Sequence, residues 1–199
     1  MCAALLVSGC ANGGTPAAKA TPSAGSALLT PADLPDGYTV SPPDPAPEVS
    51  AASSASVAGC DALLDYFRGG SGDGGGQTAR FEAGAAGPFL SENIAPKSEI
   101  SDLAANCWEF TDVAADGTTT TVHVTQLTDF PEVANGERAF RMEAAGGTGD
   151  DAFALSGYLV VASVGGATCT IVHFGQPGVD RAETERIARA AVTKIKQRQ

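Results

Sequence analysis

The chain has 199 residues and a formal net charge of −11 at pH 7, with a pI near 4.4. So acidic a surface repels phosphate backbones, which argues against nucleic acid as a partner, and it disfavours adhesion to anionic lipid heads. No stretch approaches the roughly 18 apolar residues that span a bilayer, so any membrane hold must be covalent.

The N-terminus offers such a hold. Ala3 to Val7 are apolar, Ser8 and Gly9 are small, and Cys10 follows. That order is the end of a hydrophobic signal region before a processing site. Val7-Ser8-Gly9-Cys10 resembles the bacterial lipobox. There the cysteine thiol takes a diacylglycerol and the signal is cut just before it. The expected layout is a signal-peptide remnant over 1–9, then lipidated Cys10 and a flexible linker over 10–50, then a folded domain over 51–199. The apolar run is short and no Lys or Arg precedes it, so Met1 is expected to lie inside a longer signal. Two acyl chains suffice for stable anchoring where one does not.

From Ala11 to about Ser56 the chain is rich in Ala, Pro, Ser, Thr and Gly, and eight of the twelve prolines fall here. Such a segment buries too little surface to offset its ordering entropy, and it reads as a disordered, partly extended spacer. One island interrupts it, "ALLTPADLPDGYTV" over 27–40. Its Leu28, Leu29, Leu34, Tyr38 and Val40 are able to pack on the domain as a first edge strand.

The spacing then predicts a helix over 56–67, with Val57, Cys60, Leu64 and Phe67 on one stripe, a Ser N-cap and a Gly-Gly stop. The Gly-rich run 68–77 reads as a flexible loop. A second helix is predicted over 98–107, with Ile100, Leu103, Ala104 and Cys107 as its stripe. Two helices that each turn a cysteine to the core favour a Cys60–Cys107 disulfide. Pairings of Cys169 with Cys60 or with Cys107 stay open, because connectivity is not deducible from sequence. No C-x-x-C occurs, which leaves zinc and redox readings little support.

A hairpin follows over 108–124. A loop at 115–117 with Gly117 left-handed sets Phe110 opposite Val122 and Trp108 opposite Val124, which keeps apolar residues on one face. A strand is predicted over 137–144. The run 158–174 reads as two strands around Gly165-Gly166. A closing helix over 180–197 has Asp180 and Glu183 as a capping box, Ile187, Ala191 and Ile195 as its stripe, and basic residues at its end. The predicted fold class is α+β, an antiparallel sheet with about three helices packed on one face.

No catalytic, cofactor or metal constellation emerges. His123 and His173 both fall in predicted strands with no carboxylate spacing that suggests ligation, and both read as ordinary sheet residues. "GGSGDGGG" lacks the Lys-Ser/Thr end of a phosphate loop. Asp150-Asp151 and Glu183/Glu185 read as solvated acid pairs. Cys169 reads as a small buried hydrophobe.

The lipobox-like "VSGC", the Thr/Pro/Ala spacer and "LLTPADLPDGY" resemble actinobacterial surface lipoproteins. So do a Cys in the first helix, "LAANC" before a strand, and the closing pattern from Gly166 through Ile171-Val172 and Asp180 to Ile187-Ala188 and Ala191. The group is related to the extracellular sensor domain of PknH-type serine/threonine kinases. The resemblance implies a disulfide-bearing α+β domain that binds an unidentified extracellular ligand. The kinase sensor has two disulfides, whereas this chain has cysteines for one beyond Cys10, and no functional residue carries over. The expected function is therefore a lipid-anchored, non-enzymatic ligand-binding or sensing module of the cell envelope, exported to the outer face of the membrane. Its partner would be a small molecule or an envelope component. The alternative is a lipid or glycolipid carrier of the LppX/LprG type.

Overall fold

A computed structural model describes residues 27–41, 54–55, 60, 76–96, 107–113, 117–134 and 136–198. They build one antiparallel sheet of nine strands and one α-helix. In chain order the strands are β1 (Thr39–Val40), β2 (Ser54–Ala55), β3 (Gln77–Glu82), β4 (Phe89–Ala95), β5 (Glu109–Val113), β6 (Thr119–Leu127), β7 (Arg138–Gly146), β8 (Phe153–Val164) and β9 (Ala167–Gly175). The helix α1 spans Arg181–Lys196. Across the sheet the order is β1-β3-β4-β9-β8-β7-β6-β5-β2. Strands β5 to β9 form a continuous meander, and the β3–β4 hairpin adds to the free side of β9.

The expected α+β class with about three helices is corrected by this arrangement: the described residues form a sheet-dominated fold with a single α-helix. The helices expected over 56–67 and 98–107 lie outside the described residues, save Cys60 and Cys107. So do Cys10 and the spacer residues 11–26 and 42–50. The excess of strand has a physical source in β3 and β4, which no periodicity announced. Strand β4 buries Ser91, Glu92 and Asn93 in succession, because β3 and β9 flank it and both sheet faces are covered there. A strand buried on both sides loses the polar–apolar alternation that marks a half-exposed one.

Where the sheet is half-exposed, pattern and structure agree. Phe110 pairs with Val122 and Glu109 with His123, and the Val124 amide donates to the Trp108 carbonyl at 2.7 Å. Gly117 has φ +84°, the left-handed conformation the hairpin calls for. At the β8–β9 turn Gly165 and Gly166 have φ +55° and +83°. Positive φ at both central residues matches the right-handed strand twist.

The two sheet faces bury separate cores. On one face α1 packs against β8 and β9 through Ile187, Ala188, Ala191, Val192 and Ile195, which meet Phe81, Leu90, Val160, Ala162 and Ile171. The segment 27–41 lies on this same core through Leu28, Leu29 and Tyr38 and ends as β1 on the edge of β3. The opposite face holds Phe110, Val122, Val124, Phe140, Met142, Leu159, Val161 and Val172 together with Cys60 and Cys107. Those two cysteines form a disulfide across 47 positions of sequence, and Cys169 is free and buried on the helix side.

Half of the capping box is present. The Asp180 carboxylate accepts the Glu183 amide at 2.8 Å, but the Glu183 side chain turns away to Tyr38. Asp180→Ala removes the acceptor for an otherwise orphan donor. It is expected to lower stability by about 1 kcal/mol, read as a lower midpoint in urea denaturation, with Asp180→Asn nearly neutral.

Candidate functional site

Two places combine chemistry with burial, one on each face of the sheet. The first is a chain of polar side chains beneath α1. His173 on β9 is fully buried. Its Nε2 lies 2.7 Å from the Tyr38 hydroxyl, and its Nδ1 lies 2.8 Å from the Thr184 hydroxyl. Tyr38 donates to Glu183 Oε1 at 2.8 Å. With Glu183 ionised and Tyr38 donating to it, His173 Nε2–H donates to the Tyr38 oxygen, while the single Thr184 proton lies between His173 Nδ1 at 2.8 Å and the Asp180 carbonyl at 3.1 Å. Burial pushes the His173 pKa down to about 4, so the ring is neutral. Burial also drives the Tyr38 phenol upward, and Glu183 adds to it by hydrogen bond and charge.

Beside this chain the Glu92 carboxylate is fully buried. Its Oε2 accepts the Leu29 amide at 2.6 Å. Burial raises its pKa to about 7 against the opposing effects of Leu29 and Lys194. The Cys169 thiol is pushed up by burial and by Glu92, which makes it a poor nucleophile. Glu92, His173, Tyr38, Thr184 and Glu183 join the 27–41 segment, the sheet and α1 to one another, so the cluster is a joint between these elements.

His123 stands apart on the exposed face of β6, with Nδ1 3.3 Å from Glu109. Among the described residues no group of three or more His, Cys, Asp or Glu side chains could hold a metal ion. Glu185 pairs with Arg181 at 3.0 Å and Glu183 with Tyr38, so these two acids are not the solvated pair the sequence suggested.

The second place is a cavity of about 170 Å³ on the face away from α1. Cross-strand register explains it. One row runs Val122, Ala144, Leu155 and the next runs Met142, Gly157, Phe174. The short side chain of Ala144 and the bare Gly157 leave a hollow floor between larger neighbours. Gly157 is irreplaceable there: a Cβ would stand 2.1 Å from the His173 carbonyl oxygen. Phe153, Phe174, Met142, Val122 and Leu155 line the hollow, and Asp112 and Thr120 supply its polar end. Phe174 is held from behind by Phe89, with ring centroids 5.4 Å apart. None of this was legible as a motif, because its residues come from five strands.

Among the described residues no helix is long and apolar enough to cross a membrane. Comparison with family models, with curated proteins and with solved structures finds no match to this chain.

Proposed function

We propose that this chain is an exported, lipid-anchored binding or sensing module, held at the outer face of the cell membrane through Cys10. The observation that carries the binding role is the apolar cavity on the sheet face away from α1, with one carboxylate in its wall. An apolar hollow with few convergent polar groups is the usual form of a small-molecule site. The lipobox-like "VSGC" supports the anchor. The Cys60–Cys107 bond supports export, since disulfides persist in oxidising compartments. The resemblance to envelope sensor-type lipoproteins points the same way. The module is non-enzymatic in this reading, because the buried His173, Glu92 and Cys169 are locked into interior contacts. A lipid carrier needs room for a long acyl chain. At about 170 Å³ the cavity falls below the roughly 300–1,000 Å³ of pockets for drug-sized ligands, which favours a compact ligand.

The anchor is tested in the native host. The wild-type chain is expected in the membrane fraction with a diacylglycerol mass on Cys10, and Cys10→Ser is expected to abolish that mass and release the chain. An unacylated wild-type chain in the cytosol defeats the reading. Turnover of a cell-wall substrate that one substitution abolishes defeats the non-enzymatic part.

A further inference from the structure

Resting on the cavity as the binding site, we infer that its ligand is a neutral apolar molecule that buries one aromatic ring, or a branched hydrocarbon group of the same size. Strand register makes room for that ring. Ala144 and Gly146 on β7 and Gly157 on β8 are small residues on neighbouring strands, and the hollow opens over Ala144 and Gly157. Over Gly146 it is closed: a Cβ there would stand 2.9 Å from both the Phe153 ring and the Thr120 hydroxyl. The space that is left measures about 170 Å³, and a dry cavity of about 150 Å³ accepts one benzene ring.

The wall sets the polarity. Val122, Met142, Phe153, Leu155 and Phe174 offer hydrocarbon, ring faces and a thioether. A charged ligand would give up its water there for contacts that return no hydrogen bond, and a chain of net charge −11 repels an anion besides. Asp112 borders the hollow but already interacts with another group of the protein, so it assigns no charge to a ligand. The wall is also set before the ligand arrives. Phe174 leans on Phe89 with ring centroids 5.4 Å apart, and the strands that carry the hollow are paired along its length. A flat ring then enters without the ordering cost that a loose pocket would add.

The chain holds two methionines, Met1 and Met142, so the Met142 methyl group is a distinct NMR reporter inside the cavity wall. Toluene, naphthalene, benzylammonium and benzoate are titrated into the full chain. Toluene is expected to shift the Met142 signal saturably, with the two-ring naphthalene and both charged probes at least tenfold weaker. Ala144→Phe fills the hollow and is expected to abolish the toluene shift. Leu155→Ala enlarges it and is expected to tighten naphthalene at least tenfold, a gain that a misfolded variant does not give. Benzylammonium or benzoate binding as tightly as toluene overturns the neutral assignment and leaves the cavity as a site. Naphthalene binding the wild type as tightly as toluene, or gaining nothing from Leu155→Ala, overturns the single-ring size. A Met142 signal that no probe moves, or a toluene shift that survives Ala144→Phe, overturns the cavity as the binding site as well.

Discussion

Glu92→Gln is expected to tilt the pH dependence of stability, making the protein gain about 3 kcal/mol more than wild type between pH 4 and pH 6.5. Two buried groups on the helix side bind protons in opposite senses. Glu92 is raised from 4.5 to about 7, so in the window between those values the folded state holds a proton that the unfolded state has lost. Its contribution is fully present below pH 4.5 and is lost as pH rises through 7. His173 is lowered from 6.5 to about 4, so here the unfolded state holds the extra proton. Its contribution is present above pH 6.5 and is lost as pH falls through 4. Each shift is worth roughly 3 kcal/mol at 1.36 kcal/mol per pH unit. From pH 4.5 to 6.5 the two slopes cancel, and folding in effect moves a proton from His173 to Glu92.

The groups that bear on Glu92 are the Leu29 amide and Asp33 from the N-terminal segment and Lys194 from α1, with Cys169 from β9. Tyr38, Thr184 and Glu183 meet His173 directly, and the charge of Asp180 also reaches it. Removing Glu92 exposes the rising slope of His173. His173→Gln should show the mirror image, a fall between pH 4.5 and pH 7. Urea denaturation at pH 4.5, 5.5, 6.5 and 7.5 decides the matter, because exposed carboxylates add the same background to every variant. Parallel curves for wild type and Glu92→Gln would refute the proton exchange.

The other large effect belongs to the disulfide. Cys60→Ala with Cys107→Ala is expected to cost about 4 kcal/mol, the chain-entropy value for a closed loop set by a separation of 47. Both cysteines are buried among Phe110, Phe140 and Met142, so lost packing adds to that figure. Wild type under strong reductant should fall by a similar amount. A loss below 1 kcal/mol would mean that the opposite-face core holds without the crosslink. Against a typical total of 5–15 kcal/mol, 4 kcal/mol is a large share. The domain should therefore be markedly weaker in a reducing compartment.

How much of this was legible depends on how local the signal is. Strands β5 and β6 follow from alternation over a dozen residues and one glycine, and their register came with it. The β8–β9 turn and α1 likewise declare themselves through Gly165-Gly166, Asp180 and the Ile187-Ala191-Ile195 stripe. Strands β3 and β4 did not, since Ser91, Glu92 and Asn93 are buried in succession and leave no alternation to read. Among the described residues one α-helix stands against nine strands, where about three helices on a sheet were expected.

The candidate site was less legible than the fold. His173 read as an ordinary strand residue because Tyr38, 135 positions earlier, is what turns it into a joint. The cavity needs Val122, Ala144, Gly157 and Phe174 in two adjacent rows, and only strand register brings them together. The acidic charge, the two strong hairpins and the final helix were written in the residues themselves, because composition, spacing and turn chemistry act within about 20 positions. The sheet order, the buried Glu92–Leu29 and His173–Tyr38 contacts and the hollow beside Asp112 were decided by tertiary structure. Burial and shape are properties of neighbours in space, and the chain alone does not say who those neighbours are.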